Sequence, residues 1–356
     1  GRETFIVARW VTRPLLAGLG IATVGANAIF AAITGSSIAS AAVFAKIATP
    51  EMMRHNYTRR FSVGVVAGSS VLGMLIPPSL LLIVYGFLSE QSVGHLFFAA
   101  ILPGIALAAV MAMTIWVMAR FKPQWVFSGD ATAAEADADE EMSVARAAIL
   151  LAPVMGLIVL VLGGIYGGLY TPTEGGAVGS AGALAYALAR RRLDFKSLWR
   201  VMVETGQIAT TVLFLVLAAN VFTRMLASSG LVQAISLGIG NLGLDPAAFL
   251  LLYVLLLVLL GMVLESVSIM LIVVPIVLPA AVLLGLDPIS FGILTVIGVE
   301  IGLLTPPFGL TCYVVATTLK DTGVVLADIF RGAFPFVLSM LVVVLGLIVL
   351  MTTGAP

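Results

Sequence analysis

Two polar strings and two diprolines stand out in a chain that is otherwise mostly apolar. Thr34-Gly35-Ser36-Ser37 and Glu265-Ser266-Val267-Ser268 interrupt apolar runs with hydroxyls and, in the second, a carboxylate. At a turn held inside a membrane protein, such residues cap the helix that follows. That helix end carries unpaired N–H groups and a positive dipole, which suit an anion. The alternative is a tight Ser/Gly helix contact. Pro77-Pro78 and Pro306-Pro307 cannot sit inside a regular helix, because proline donates no N–H and clashes with the preceding turn. They free the carbonyls of Gly73, Met74, Leu75 and Ile76, and of Gly302, Leu303, Leu304 and Thr305. In hydrocarbon a free carbonyl is costly unless something binds it. A cation held by carbonyl and hydroxyl oxygen fits; a kink filled by water or a hydroxyl is the alternative. Gly261, ahead of the second turn, offers another exposed carbonyl.

Acids at membrane depth are functional candidates by default. Glu265 lies at the second turn, and Glu300 lies five residues before Thr305, where it contacts an ion or orients the broken helix. Glu174, in TPTE at 171–174, reads as a helix start with Thr171 or Thr173. Arg224 reads as a residue that snorkels to the interface. His55 and His95 have no Cys, Asp or second His at ligand spacing, so no metal centre of that kind is expected. The single cysteine, Cys312, excludes a disulfide framework and reads as a small apolar helix residue. No Walker A, GxSxG or HExxH string is present, so neither ATP hydrolysis nor these catalytic chemistries are expected.

The elements that must position these residues are membrane helices. Of 356 residues, 61% are hydrophobic and 10% charged, against about 25% charged in soluble domains. That apolar total supplies roughly eight to ten spans of about 20 residues. Net charge is zero, which excludes a basic nucleic-acid binder. The chain starts at Gly1 with no leader, and Arg13 precedes an apolar run already under way, so the expected N-terminus lies upstream. Apolar helical stretches are read at 15–33, 61–86, 94–119, 147–166, 173–189, 204–226, 246–264, 267–284, 289–317 and 333–351. The polar connection 120–146 holds six of the 18 acids, Asp130, Glu135, Asp137, Asp139, Glu140 and Glu141, and reads as a flexible solvated loop. Three basic clusters lie on one face by span count: Arg54, Arg59 and Arg60; Arg120 and Lys122; and Arg190, Arg191, Arg192, Lys196 and Arg200. The connections on the other face, near 87–93 and 167–172, lack Lys and Arg, as the positive-inside rule requires if the clustered face is cytoplasmic.

One offset, 279 minus 50 or 229 residues, carries Pro50 onto Pro279, Gly73 onto Gly302, Leu75 onto Leu304 and Pro77-Pro78 onto Pro306-Pro307. The chain therefore reads as a repeat. The first copy, 1–119, has a hairpin at 15–53, a broken helix at 61–86 and a following span. The loop 120–146 joins it to the second, 147–356. That copy has scaffold spans at 147–226, an interfacial arm at 231–243, a hairpin at 246–284, a broken helix at 289–317 and a last span at 333–351. Pro50 leads into a basic cluster and Pro279 into LLGLDP with none, so the copies are inverted. Inverted repeats with broken helices are a secondary-transporter architecture with the site near mid-membrane. The fold class expected is all-α integral membrane, with two re-entrant hairpins and two broken helices.

The strings GSSIASAAVFAKIATPEM at 35–52, GMLIPPSLLLIVYG at 73–86, TPTEGGAVG at 171–179 and EIGLLTPPFGL at 300–310 together resemble the large membrane subunit of tripartite ATP-independent periplasmic (TRAP) transporters. The resemblance covers essentially the whole chain. It implies a multi-pass protein of the bacterial inner membrane that imports an organic-acid anion with sodium. It also implies a scaffold domain and a transport domain that moves like an elevator. A periplasmic solute-binding protein and a small membrane subunit of about four helices, separate or fused, are the implied partners besides lipid. No cofactor is implied beyond Na⁺ as coupling ion. By that similarity one sodium site uses Thr34, Ser36, Ser37, Gly73, Ile76 and Pro78. The other uses Gly261, Ser266, Gly302, Thr305 and Pro307. Substrate lies between the turns, with Gly35, Ser79 and Glu265 counted among the binding residues. The second turn reads LES where the family commonly has Asp at position 265. The competing readings are a proton-coupled or stand-alone anion carrier of the broader inverted-repeat type, with Glu265 and Glu300 carrying protons, and a channel-like scaffold.

Overall fold

Every residue from Phe61 to Leu75 and from Phe291 to Leu304 is buried. Helices apolar on all sides have no solvent face, so both stretches lie innermost. The computed structural model describes residues 1–129, 142–191, 193–230, 233–234, 238 and 245–353. Apart from turns and connections these are helical, with one isolated β-bridge between Tyr57 and Phe127. The six acids of the 120–146 connection, Arg192 and most of the arm expected at 231–243 lie outside the described residues.

After α1 (Arg2–Thr12) comes the first hairpin, α2 (Gly18–Thr34) and α3 (Ser37–Arg54). The first broken helix is α4 (Arg59–Ser70) with α5 (Leu72–Leu75), then an interruption, then α6 (Leu80–Ser89); α7 (Val93–Phe121) and the short α8 (Pro123–Val126) follow. The middle holds α9 (Val144–Ile158, continued by a π-helical turn Val159–Gly163 and by Gly164–Tyr166), α10 (Pro172–Ala189) and α11 (Phe195–Ser229). The second set is α12 (Pro246–Gly261), α13 (Ser266–Leu283), α14 (Pro288–Leu303), α15 (Leu310–Thr318) and α16 (Leu326–Thr353). The 229-residue offset carries α3 onto α13 at both ends, and Pro77-Pro78 and Pro306-Pro307 are both cis.

The two sets interlock. α3 packs on α15 and α13 on α6, so each hairpin leans on the other set's broken helix. Tyr85 of α6 is fully buried, lies over Gly292 and donates to Pro288 O at 2.5 Å. α4 runs along α16 with the backbones touching: a Cβ on Gly64 would lie 2.1 Å from Gly332 C. Arg60 Nε, at the start of α4, donates to Asp328 Oδ1 at 2.9 Å. Gly64→Ala is therefore expected to destabilise by about 1–3 kcal/mol, the usual cost of overpacking. Thermal unfolding in detergent checks this. Gly346→Ala, with nothing within 4 Å of the added carbon, is expected to leave the midpoint unchanged.

The structure corrects three expectations. Five helices among the described residues are long and apolar enough to cross a membrane, or six if Arg59–Leu75 and Leu80–Ser89, bent by 40°, form one span. That is fewer than the apolar total allows, because α2, α12 and α14 are only 17, 16 and 16 residues long, short of the ~20 a full crossing needs. The connection at 120–146 is not free at its start: Thr58 N donates to Val126 O and Ser128 N to Asn56 O, both at 2.8 Å, and the Tyr57 and Phe127 rings meet at a tilt with centroids 4.9 Å apart. This docking puts the first two basic clusters at the same end of the molecule, in line with the span count. α1, read from the sequence as no element, is a helix tied to the end of α3: Arg9 pairs with Glu51 at 2.5 Å and meets His55 Nε2 at 3.0 Å.

Candidate ion and substrate site

The first hairpin turn is built on a glycine. Gly35 ends α2 with φ 56°, the left-handed region that glycine enters without steric cost, and its N–H donates to Ala31 O at 2.9 Å. Ser36 caps α3, its Oγ accepting from Ala39 N at 3.3 Å, while Thr34 Oγ1 donates to Phe30 O at 3.1 Å. Across from the turn, Ile76 is extended and Ser79 caps α6. Ser79 Oγ donates to Met74 O, the carbonyl whose helical donor would have been Pro78, and accepts from Leu82 N at 3.3 Å. Gly73 O loses its own i+4 donor to Pro77. Turn and break are in direct contact: Leu80 N donates to Gly35 O at 3.5 Å, and a Cβ on Gly73 would lie 2.8 Å from Ser36 C and O. A Cβ on Gly35 would lie 2.7 Å from Pro78 O.

The second half repeats this with different chemistry. Gly302 crosses Gly261 backbone on backbone; a Cβ on Gly302 would lie 2.6 Å from Gly261 Cα and 2.8 Å from Val258 O. Thr305 Oγ1 donates to Ile301 O at 2.7 Å and Thr305 N to Gly302 O at 2.9 Å. The carbonyls of Met74 and Gly302 are therefore not bare, as the diprolines alone suggested. Each keeps a second lone pair, because a carbonyl oxygen has two. Pro306 and Pro307 are exposed and Thr305 is half-buried. Glu265 caps α13, its Oε2 accepting from Val267 N at 3.1 Å and Ser268 N at 3.3 Å. The helix end expected to face an anion is thus already occupied by the chain's own carboxylate.

Glu300 joins the two halves. It is 1% exposed and accepts from Ser266 Oγ, at the second turn, through Oε1 at 3.3 Å. The Ser37 hydroxyl, at the first turn and fully buried, approaches the same carboxylate. It stops short of hydrogen-bond geometry, so Ser37 Oγ and Glu300 Oε2 both lack partners among the described residues. No described ion pair includes Glu300. Buried polar atoms are costly unless paired, so this junction calls for a proton or a cation between its oxygens. Sequence reasoning singled out Glu300 as an intramembrane acid without placing it among the binding residues. Its link to both turns is tertiary and has no local signal. Elsewhere, Thr171 and Glu174 form the expected helix start as a full capping box, and Arg224 is exposed on α11.

Residues 3–353 match the family described as Tripartite ATP-independent periplasmic transporter, DctM component. The chain is 37% identical over 328 residues to the C4-dicarboxylate TRAP transporter large permease protein DctM of Pseudomonas aeruginosa, covering 91% of this chain and 74% of that protein. It is 30% identical over 343 residues to the sialic acid TRAP transporter large permease protein SiaM of Vibrio cholerae, covering 95% and 77%. Among solved structures it is similar to the Alcanivorax borkumensis YdaH transporter, reported to have an unusual topology. That match has a TM-score of 0.65 at 17% identity and covers 100% of this chain and 86% of the other, a likeness of fold.

Proposed function

We propose a function from one premise: this chain belongs to the DctM component family of tripartite ATP-independent periplasmic transporters. It is a multi-pass membrane permease subunit for organic acids, not an enzyme. The finer reading is sodium-coupled import of a carboxylate anion across a bacterial inner membrane. A periplasmic solute-binding protein delivers the anion, and a small membrane subunit completes the complex. Sodium is held at each hairpin turn by oxygens of the matching break. Thr34, Ser36, Ser37, Gly73, Ile76 and Pro78 serve the first, and Gly261, Ser266, Gly302, Thr305 and Pro307 the second. The substrate carboxylate lies between the turns, near Gly35 and Ser79, and Glu265 sets the charge of the second turn. The hairpins and broken helices move together as the transport domain of an elevator.

One observation carries this reading. In both halves a glycine of the broken helix lies against the backbone of its hairpin, Gly73 on Ser36 and Gly302 on Gly261. Hairpin oxygens are thereby brought beside broken-helix carbonyls whose helical donors proline has removed. Oxygen-only sets of this kind suit hard cations. Uptake by vesicles holding the complex, with its binding protein outside, is expected to need an inward sodium gradient and to stop when potassium replaces sodium. A proton-coupled carrier is favoured by one feature, the burial of Glu300 without a described cationic partner. Uptake driven by a pH gradient in sodium-free buffer would establish that reading instead.

A further inference from the structure

At the basic end of the molecule a cleft of about 660 Å³ opens between the starts of α4 and α16, the end of α7 and the docked α8. Three arginines, Arg59, Arg60 and Arg331, line it against one acid, Asp328. Arg60 is neutralised by Asp328, and Arg59 Nη1 donates to Gly323 O at 3.1 Å. Arg331 is exposed and makes no described ion pair. The rest of the lining is largely apolar and aromatic, with Trp125 and Phe334 exposed at its rim.

The position of Arg331 on its helix says what the cleft faces. Below it on α16 runs a row of exposed apolar side chains at spacings of three and four: Phe334, Leu338, Val342, Leu345 and Val349. These fall on one helical face. From Arg331 to Val349 the helix rises about 27 Å, close to the ~30 Å thickness of the hydrocarbon core. An exposed apolar row of that length has the dimensions of a lipid-facing side, which would put Arg331 at the level of the headgroups. Trp125 beside it is the residue type that marks this level. Basic pockets between helices at the cytoplasmic surface suit lipid headgroups carrying negative charge.

We infer that this cleft binds an anionic phospholipid, with its phosphate on the Arg331 guanidinium, supported by Arg59, and an acyl chain running down the Phe334–Val349 row. Charge complementarity and an unpaired guanidinium above a lipid-facing stripe favour this occupant over a protein.

Native mass spectrometry of the delipidated permease complex, titrated with phosphatidylglycerol or phosphatidylcholine, tests the inference. Phosphatidylglycerol is expected to bind about fivefold more tightly, the effect of one favourable arginine–anion contact. Arg331→Gln should remove that preference, weakening phosphatidylglycerol more than phosphatidylcholine, whose choline cation already offsets its phosphate. Phe334→Asp, placed on the chain path, should weaken both lipids. Arg190→Gln, at a basic residue just past the end of α10 and outside the cleft, should change neither. Equal retention of the two lipids by the native complex would overturn the site, and so would an Arg331→Gln variant that still prefers phosphatidylglycerol. If Arg190→Gln loses the preference equally, bulk charge explains it and the site falls. A photo-crosslinker at position 331 that captures a polypeptide instead of lipid also rejects the proposal.

Discussion

Gly302→Ala is expected to cut uptake by about 100-fold while leaving the protein folded and in the membrane. The added carbon would sit 2.6 Å from Gly261 Cα and 2.8 Å from Val258 O, both backbone atoms that no rotamer change can move aside. The hairpin must shift by something near an ångström, and the oxygens it shares with the broken helix shift with it. A misplacement of that size costs about 100-fold where function depends on fixed geometry. Initial uptake rates in vesicles, set against protein quantified in the same membranes, check the prediction. Gly346→Ala supplies the control, since that position is open. Uptake by Gly302→Ala within a few-fold of the unaltered protein would show that the crossing does not position anything that matters for transport.

Substitution of Glu300 should have a comparable effect with a different signature. Alanine removes the acceptor of Ser266 and the carboxylate that Ser37 approaches, so the buried Ser266 hydroxyl loses its partner and that of Ser37 still has none. Glu300→Ala is therefore expected to reduce uptake by about 100-fold, roughly the cost of losing one charge-assisted hydrogen bond. Glu300→Gln keeps the shape and the acceptor for Ser266 but removes the charge. If the carboxylate balances bound cations, the glutamine variant should need about tenfold more sodium for half-maximal uptake. Its maximal rate should stay within a few-fold. Sodium titration of uptake at fixed substrate separates the two effects. An unchanged sodium requirement in Glu300→Gln would mean that the residue only orients its neighbours.

Much of this arrangement could be read before any coordinates, for local reasons. Two helix ends announced themselves through capping side chains: Ser36 before α3 and Thr171 before α10 both accept from the first turn of the helix they precede. The diprolines fixed both breaks to within a residue or two, because no regular helix tolerates them. The hairpin turns followed from small polar residues in apolar runs. What could not be read depends on contacts between distant segments. α1 has no span-length apolar run and is held by Arg9 reaching Glu51 on α3. The start of the acidic connection looks like loop in sequence, yet Val126 and Phe127 are buried against the turn after α3. The composition of the second turn suggested an open anion site, whereas Glu265 folds back on its own helix. Glu300 was visible as an oddity, but nothing within a few residues of it reveals that it reaches both turns.

The close approach of α4 and α16 bears on the order in which the molecule can be assembled. Arg60 and Asp328 are 268 residues apart in the chain. While the ribosome is still working through the intervening helices, the glycine-lined flank of α4 has been inserted without the neighbour that later seals it. The early half must wait in the bilayer, or under a chaperone, with that flank open. Newly made chains stalled before Gly332 carry an unsealed seam along Gly64.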